Sequence, residues 1–276
     1  MAKTIFITGT SSGLGKLTAI HFAKRGWNVA ATMRRPDAET ELTAYDNIRI
    51  FKLDVVDPDQ ARNATQAAID AFGRIDVVVN NAGIGVYGPL EFAAQDTIDR
   101  QFAVNVRGPI NVIQAFLPHF RAQGGGMIIN ISSFMGVTTA VPLGSLYNMA
   151  KFALEGLTEG LYYELKPLGI ELRLIEQGGS NGNNFLKNVV FNTDASIKAY
   201  DPIVAKVEAL FAKAADMVER GEFDDPQTIV DEIHALATGE NQKFRTLVGQ
   251  TAKDLMALRG SVPIETYLET IAAQYR

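Results

Sequence analysis

Apolar residues in this chain gather into short and mostly continuous runs: Ile5–Ile7, Val29–Ala31, Ile48–Leu53, Val77–Val79, Met127–Ile131 and Leu172–Ile175. Strict alternation would mark strands with one wet face. Continuous runs of this length suit parallel strands covered on both faces. Segments of helical period lie between them. Leu14, Leu17, Thr18 and Phe22 share one face of a first helix, which Gly26 ends. A second helix is expected over roughly Asp37–Tyr45. A third starts after Asp57, with Pro58 at its first position, and ends near Phe72-Gly73. Asp96 to about Arg121 reads as one long helix kinked at Gly108-Pro109. Ser145 to about Leu168 reads as another, closed by Pro167 and Gly169. After Glu176 the alternation breaks, and Gln177–Asp194 is rich in Gly and Asn. Helices follow near Pro202–Arg220 and Pro226–Thr238, then a short apolar run, Phe244–Val248, and a helical tail after Pro263. Repeated β-α-β units imply right-handed crossovers, hence an α/β fold with a doubly wound parallel sheet in three layers, α/β/α. No shift in composition divides the chain, so residues 1–276 read as a single domain.

The stretch Thr8-Gly9-Thr10-Ser11-Ser12-Gly13-Leu14-Gly15 joins the first strand to the first helix. Glycines let a backbone turn tightly and approach a pyrophosphate, and the helix start offers free N–H groups to the anion. The same glycines would also serve a loop that only caps the helix. The position, the first βα turn of an α/β chain, favours dinucleotide binding in a Rossmann-type fold.

Composition narrows the partners. The hydrophobic fraction is 47%, the net charge is −5, and no long basic run is present, which argues against nucleic acid. Cysteine is absent, so neither a disulfide framework nor a thiolate metal site is expected, and no metal is assigned. Met1-Ala2-Lys3 runs directly into the first strand and no apolar run reaches membrane-spanning length. A cytoplasmic protein without a membrane partner is expected.

Tyr147 and Lys151 stand four residues apart in the helix that begins near Ser145, hence on one face. A phenol titrates near ~10 in water; a neighbouring ammonium lowers that value and suits the phenol to pass protons to an alcohol or carbonyl. Alone, such a pair is also met as a half-buried Tyr beside a solvated Lys. Here the preceding strand ends in Ser132-Ser133, at the sheet edge where ligands bind, and a Ser there can donate to a substrate oxygen. One of the two serines is equally suited to cap the following turn. Asn80-Asn81-Ala82-Gly83 ends the fourth strand in the same way. Asn105 precedes the Gly108-Pro109 break, where a freed backbone carbonyl can hold a water.

Taken in this order, the glycine stretch at Thr8–Gly15, Asp54, NNAG at Asn80–Gly83, Asn105, a strand ending in Ser-Ser, and YxxxK at Tyr147–Lys151 resemble the classical short-chain dehydrogenases/reductases. The resemblance covers about residues 3–176. It implies that Tyr147 is the catalytic acid/base, that Lys151 lowers its pKa and binds the nicotinamide ribose, that Ser133 polarises the substrate carbonyl, and that Asn105 holds a relay water. It places Gly9, Ser11, Gly13 and Leu14 at the pyrophosphate, Asp54 and Val55 at the adenine and Asn81 by the adenosine ribose, with Ser12, Gly15, Ala82 and Gly83 also in the cofactor site. Two positions depart from the family pattern. Ser133 lies one position further from Tyr147 than usual, which leaves Ser132 as its alternative. Gln177-Gly178-Gly179 stands where Pro-Gly is common.

Cofactor choice is read from the end of the second strand. NAD binding places an acid there for the ribose hydroxyls. This chain reads Ala31-Thr32-Met33-Arg34-Arg35, with no acid before Asp37. Arginine suits a 2′-phosphate, so NADP (NADPH) is expected over NAD, with Arg34 as its contact; solvated loop charges are the plain alternative. Phe134, Val141, Leu143, Phe185 and Phe191 fall in segments expected around the pocket, or else in ordinary core, and suggest an apolar carbonyl or alcohol substrate. Residues 177–200 are expected to act as a substrate lid, and 201–276 as substrate-side helices. Ala153, Gly156 and Gly160 form a small-residue strip that favours a homodimer or homotetramer. The expected activity is interconversion of a carbonyl and an alcohol; a cofactor-binding scaffold without turnover is the alternative.

Overall fold

The computed structural model describes residues 2–179, 188–220 and 224–276. Strands β1 (Thr4–Thr8), β2 (Asn28–Met33), β3 (Ile48–Lys52), β4 (Val77–Asn80), β6 (Gly126–Ile131), β7 (Ile170–Gln177) and β9 (Arg245–Val248) form one seven-stranded sheet in the order β3-β2-β1-β4-β6-β7-β9. All its pairings are parallel. β5 (Val86–Tyr87) and β8 (Val190–Phe191) pair separately beyond its C-terminal edge.

The continuous apolar runs have the predicted consequence. On one face Ile5, Ile7, Val29, Ala31, Val77, Val79 and Ile129 pack with Phe22 of α1 (Gly13–Lys24) and with Ile229, Ile233 and Leu236 of α7 (Pro226–Thr238). On the other, Phe6, Ala30, Val78, Ile128 and Leu172 pack with Ala64 and Ala68 of α2 (Pro58–Phe72) and Phe116 and Phe120 of α4 (Gly108–Gln123). α2 begins as its sequence suggests: the Asp57 carboxylate accepts from the Asp59 and Gln60 N–H groups and Pro58 follows it.

Three expectations need correction. Residues Asp37–Tyr45 do not form a helix. They make two 3₁₀ turns, Pro36–Ala38 and Leu42–Ala44, because the Glu39 carboxylate accepts from the Glu41 and Leu42 N–H groups and interrupts any helical ladder. The long helix over Asp96–Arg121 is present as α3 (Gln95–Phe102) and α4, but its break is a π turn at Ala103–Arg107. Pro109 has no N–H for the Asn105 carbonyl, and its ring would press on that carbonyl in an α-helix; the wider turn relieves this. Finally, α8 (Gln250–Ser261) precedes the expected tail, α9 (Ile264–Ala273). Of the stretch expected as a lid, 180–187, including Phe185, lies outside the described residues. Its remainder holds β8 and a turn at Lys198–Tyr200, leading into α6 (Asp201–Glu219). Among the described residues no helix is long and apolar enough to cross a membrane.

Candidate active site

A cleft of about 420 Å³ opens at the C-terminal edge of the sheet, over β1, β4 and β6. Gly9, Ser11, Ser12, Gly13 and Leu14 line one end. Gly9 and Gly13 take φ of +73° and +55°, which side chains rarely adopt, and a Cβ on Gly9 would sit 3.0 Å from the Ala82 Cα. The start of α1 carries no side-chain cap from Ser12 and no acid in its first turn. That terminus therefore keeps the N–H groups and the positive dipole end that an anion requires. Gly15 does not line the cleft. A Cβ there would lie 2.4 Å from the Gly9 carbonyl and 2.5 Å from Asn81 Nδ2, so its part is to let loop and helix close together.

Thr8 and Asn81 hold that loop in place. Thr8 Oγ1 accepts from the Asn81 and Ala82 N–H groups at 2.9 and 3.0 Å. Asn81 Nδ2 donates to the Thr8 and Gly9 carbonyls at 2.9 and 3.2 Å. Asn81, Ala82 and Gly83 line the cleft, as do Asp54 and Val55. Arg34 lines it as well, whereas Arg35 does not. Lys16 faces away, paired with Glu39 and Glu41 at 3.0 and 3.2 Å.

Tyr147 and Lys151 lie on α5 (Ser145–Leu165), which crosses the end of β6. A buried polar chain fixes that crossing: Asn80 Nδ2 donates to Asn130 Oδ1, and Asn130 Nδ2 to Thr158 Oγ1, each at 2.8 Å. Asn148 Nδ2 ties the start of α5 to the Met135 and Thr138 carbonyls, both at 2.8 Å. Tyr147 and Lys151 are both 7% exposed and both line the cleft. Lys151 Nζ donates to the Ile131 carbonyl at 2.8 Å and lies 5.7 Å from the Tyr147 ring centre. Ser133 hydrogen-bonds Tyr147, and its Oγ accepts from the Met135 N–H at 3.1 Å. Ser133 thus sits beside Tyr147, whereas the Ser132 hydroxyl is buried near Glu155.

Burial governs both key groups. It raises the Tyr147 phenol well above its ordinary value, against the opposing hydrogen bond from Ser133. The lowering expected from Lys151 is thus outweighed in the chain by itself. Burial also depresses Lys151, to about 8, with the negative charge of Glu155 working against that fall. At neutral pH Tyr147 keeps its proton and Lys151 is largely charged.

Asn105 is buried inside the π turn. Its amide is used by the loop after β4: Oδ1 accepts from the Ile84 N–H at 2.9 Å and Nδ2 donates to the Ile84 carbonyl at 2.8 Å. Only its main chain, inside the π turn, is left for a water. Val141 packs in an apolar cluster with Tyr87, Met135, Phe191 and Phe211 around Tyr147, the member that lines the cleft. The Tyr87 ring stacks on Tyr147, 5.8 Å between centres, and Phe211 meets Tyr87 edge-on at 5.0 Å. Leu143 stands nearby with φ +61°, its carbonyl accepting from the Gly88 N–H at 2.8 Å. Tyr87, Phe211 and the cleft residue Arg100 were not signalled by any motif, while the cleft residues Gln177, Asn188 and Val190 fall in the stretch 177–200. Among the described residues no cluster of His, Asp and Glu is arranged to hold a metal ion.

Comparison with known proteins agrees with this arrangement. The short chain dehydrogenase family matches residues 3–189. An oxidoreductase of Schizosaccharomyces pombe is 36% identical over 239 residues, covering 86% of this chain and 97% of its own. A 3-ketodihydrosphingosine reductase of Bacteroides thetaiotaomicron is 32% identical over 257 residues, 92% of this chain and 91% of its own. Among solved structures, a short-chain dehydrogenase from Streptomyces avermitilis superposes with a TM-score of 0.80 at 30% identity, covering 99% of this chain and 94% of that one. ElxO with NADP bound superposes with a TM-score of 0.70 at 26% identity, over 90% of this chain and 96% of that one. The match along the sequence and the shared seven-stranded parallel fold show the family to which this chain belongs: it is an oxidoreductase of the short chain dehydrogenase family.

Proposed function

We propose that the protein is an NADP(H)-dependent oxidoreductase that interconverts a carbonyl and an alcohol on a small apolar substrate, with Tyr147 as acid/base. The observation that carries this reading is the buried Ser133–Tyr147–Lys151 grouping opening on a cleft that has a phosphate cradle at its other end. The residues present fit a dinucleotide: uncapped N–H groups at the start of α1, positive-φ glycines beneath them, and Arg34 where a 2′-phosphate would lie. When bound, the nicotinamide supplies or accepts the hydride. Ser133 and Tyr147 then hydrogen-bond the substrate oxygen. Tyr147, which retains its proton at neutral pH, delivers it to that oxygen during reduction. Lys151 stabilises the phenolate that results and holds the nicotinamide ribose. The Asn105 main chain, left without an α-helical donor by Pro109, holds the water that reprotonates the pair.

The apolar cluster of Tyr87, Met135, Val141, Phe191 and Phe211 around Tyr147 favours a lipophilic ketone. A relative named for a ketone on a long-chain base supports the same class. The position of Arg34 on the cleft, with no acid before Asp37, favours NADP over NAD. A scaffold without turnover is disfavoured by an intact Tyr147–Lys151 pair. The test is a turnover screen of long-chain, cyclic and polycyclic ketones with NADPH and with NADH. NADPH-linked reduction of lipophilic members is expected; no turnover of any ketone with either cofactor would remove the proposal.

We also propose a homo-oligomer formed through α5. Gly156 and Gly160 face open space, with no atom within 4 Å of a Cβ added at either. Met149, Phe152 and Tyr163 on the same helix are 43%, 39% and 73% exposed, so this strip does not pack on the chain's own sheet. Sedimentation at micromolar concentration is expected to show a multiple of 30.0 kDa; a 30.0 kDa species alone would contradict it.

A further inference from the structure

Behind Lys151, away from the cleft, lies a buried acidic pair with no part in the chemistry above. Glu155 stands one helical turn beyond Lys151 on α5 and is 4% exposed; Glu176, in β7, is fully buried. Both reach one guanidinium. Arg245 Nε, from β9, is 3.1 Å from Glu155 Oε2 and 3.2 Å from Glu176 Oε1, while its Nη2 is 3.1 Å from Glu159 Oε2. Ser132, at the end of β6, closes the other side. A Cβ on Gly136 would lie 2.8 Å from Ser132 Oγ and 3.2 Å from Glu155 Oε1, so only glycine leaves room for these two groups.

Buried carboxylates sharing one guanidinium do not both stay ionised at little cost. Burial raises both carboxyls, and the proximity of Glu155 adds to the rise at Glu176, which reaches about 7. Ser132 and Glu176 both hydrogen-bond Glu155, and Glu176 Oε2 is buried. A proton kept between the carboxyls supplies the bond from Glu176. The charged groups facing Glu155 are Lys151 and Glu159 from α5, Glu176 from β7 and Arg245 from β9.

We propose that Glu155 is a positioning residue for the catalytic pair: its carboxylate, one turn from Lys151 and fixed by Arg245, keeps the buried Lys151 as an ammonium at the Ile131 carbonyl, while Glu176 carries the proton the two acids share. Without that charge, burial alone would set the state of Lys151, and a neutral amine would neither stabilise a phenolate nor hold its donors as firmly. The inference rests on the proposed role of Lys151 at the cofactor, and its test is read through cofactor affinity.

The experiment follows the dissociation constant of NADPH by its fluorescence between about pH 6 and about pH 9.5, with folding checked by thermal unfolding. Wild-type affinity is expected to fall through the Lys151 transition near 8. Glu155→Gln, of the same shape, is expected to move that midpoint down by about one pH unit or more. The Lys151 state answers to burial and to the Glu155 charge, not to Glu176, so Glu176→Gln is expected to leave the midpoint in place. Should Glu155→Gln fail to fold, the double variant Glu155→Gln/Glu176→Gln, which removes the same charge without leaving an unpaired acid, is expected to show the same downward move. An unmoved midpoint in a folded protein lacking the Glu155 charge overturns the inference while leaving the cofactor reading intact. Wild-type protein that binds no NADPH at any pH contradicts that reading, and the inference falls with it.

Discussion

Tyr147→Phe is expected to lose about 10³-fold in turnover while NADPH affinity stays within about twofold. The substitution removes one hydroxyl. The ring keeps its stacking on Tyr87, 5.8 Å between centres, and its place on α5, so cofactor binding and fold are left largely untouched. What disappears is the transferable proton, and with it the Ser133 hydrogen bond. The raised phenol strengthens this expectation, since a group that holds its proton well above neutral pH acts as the acid of a reduction over the whole working range. Steady-state rates with a substrate from the screen, set beside fluorescence titration of NADPH, check it. A variant that keeps even about a tenth of the wild-type rate would show that the proton comes from elsewhere.

The double variant Arg34→Ala/Arg35→Ala is expected to weaken NADPH by about 10- to 40-fold and NADH hardly at all. A charge-assisted pair to a phosphate contributes ~1.5–3 kcal/mol, and at an exposed end of the cleft the lower half of that range applies. Arg34→Ala alone should carry most of the loss, because Arg34 lines the cleft and Arg35 does not. Raised salt should shrink the difference between the two cofactors. Binding titrations of both cofactors on the wild type and the two variants decide the matter. Equal losses for NADPH and NADH would mean that the arginines serve the β2 turn and not a 2′-phosphate.

How much of this was legible in the sequence depends on the range of the interactions. The six long strands announced themselves because strands covered on both faces are apolar throughout, as Ile5–Ile7 and Val77–Val79 are. The cradle was legible because Gly9 and Gly13 answer a local backbone need. Pro109 told of a break, but not that a π turn at Ala103–Arg107 would absorb it. β5 and β8 are two residues each, too short to carry a period. α8 buries only Ala252 and so has no apolar stripe to read. Glu39 defeated the helix at Asp37–Tyr45 through its own carboxylate, a contact that helical spacing does not record. At the site, Tyr147 and Lys151 were found by spacing along one helix. The apolar cluster around Tyr147 was not, because Tyr87 and Phe211 meet only after the chain has folded. The Glu155–Arg245–Glu176 group is the extreme case: three residues on three elements, each ordinary in its own segment.

The central claim is that this site moves a hydride between a reduced nicotinamide and a carbonyl carbon while Tyr147 serves the oxygen. The most direct measurement uses NADPH dideuterated at C4 of the nicotinamide with a ketone from the screen, and reads the product by mass spectrometry. One deuterium on the carbinol carbon, none at that carbon when the label is supplied as heavy water, and no labelled product with Tyr147→Phe is the result predicted. A reduced product whose carbinol hydrogen comes from water, or labelled product formed equally well by Tyr147→Phe, would contradict the account.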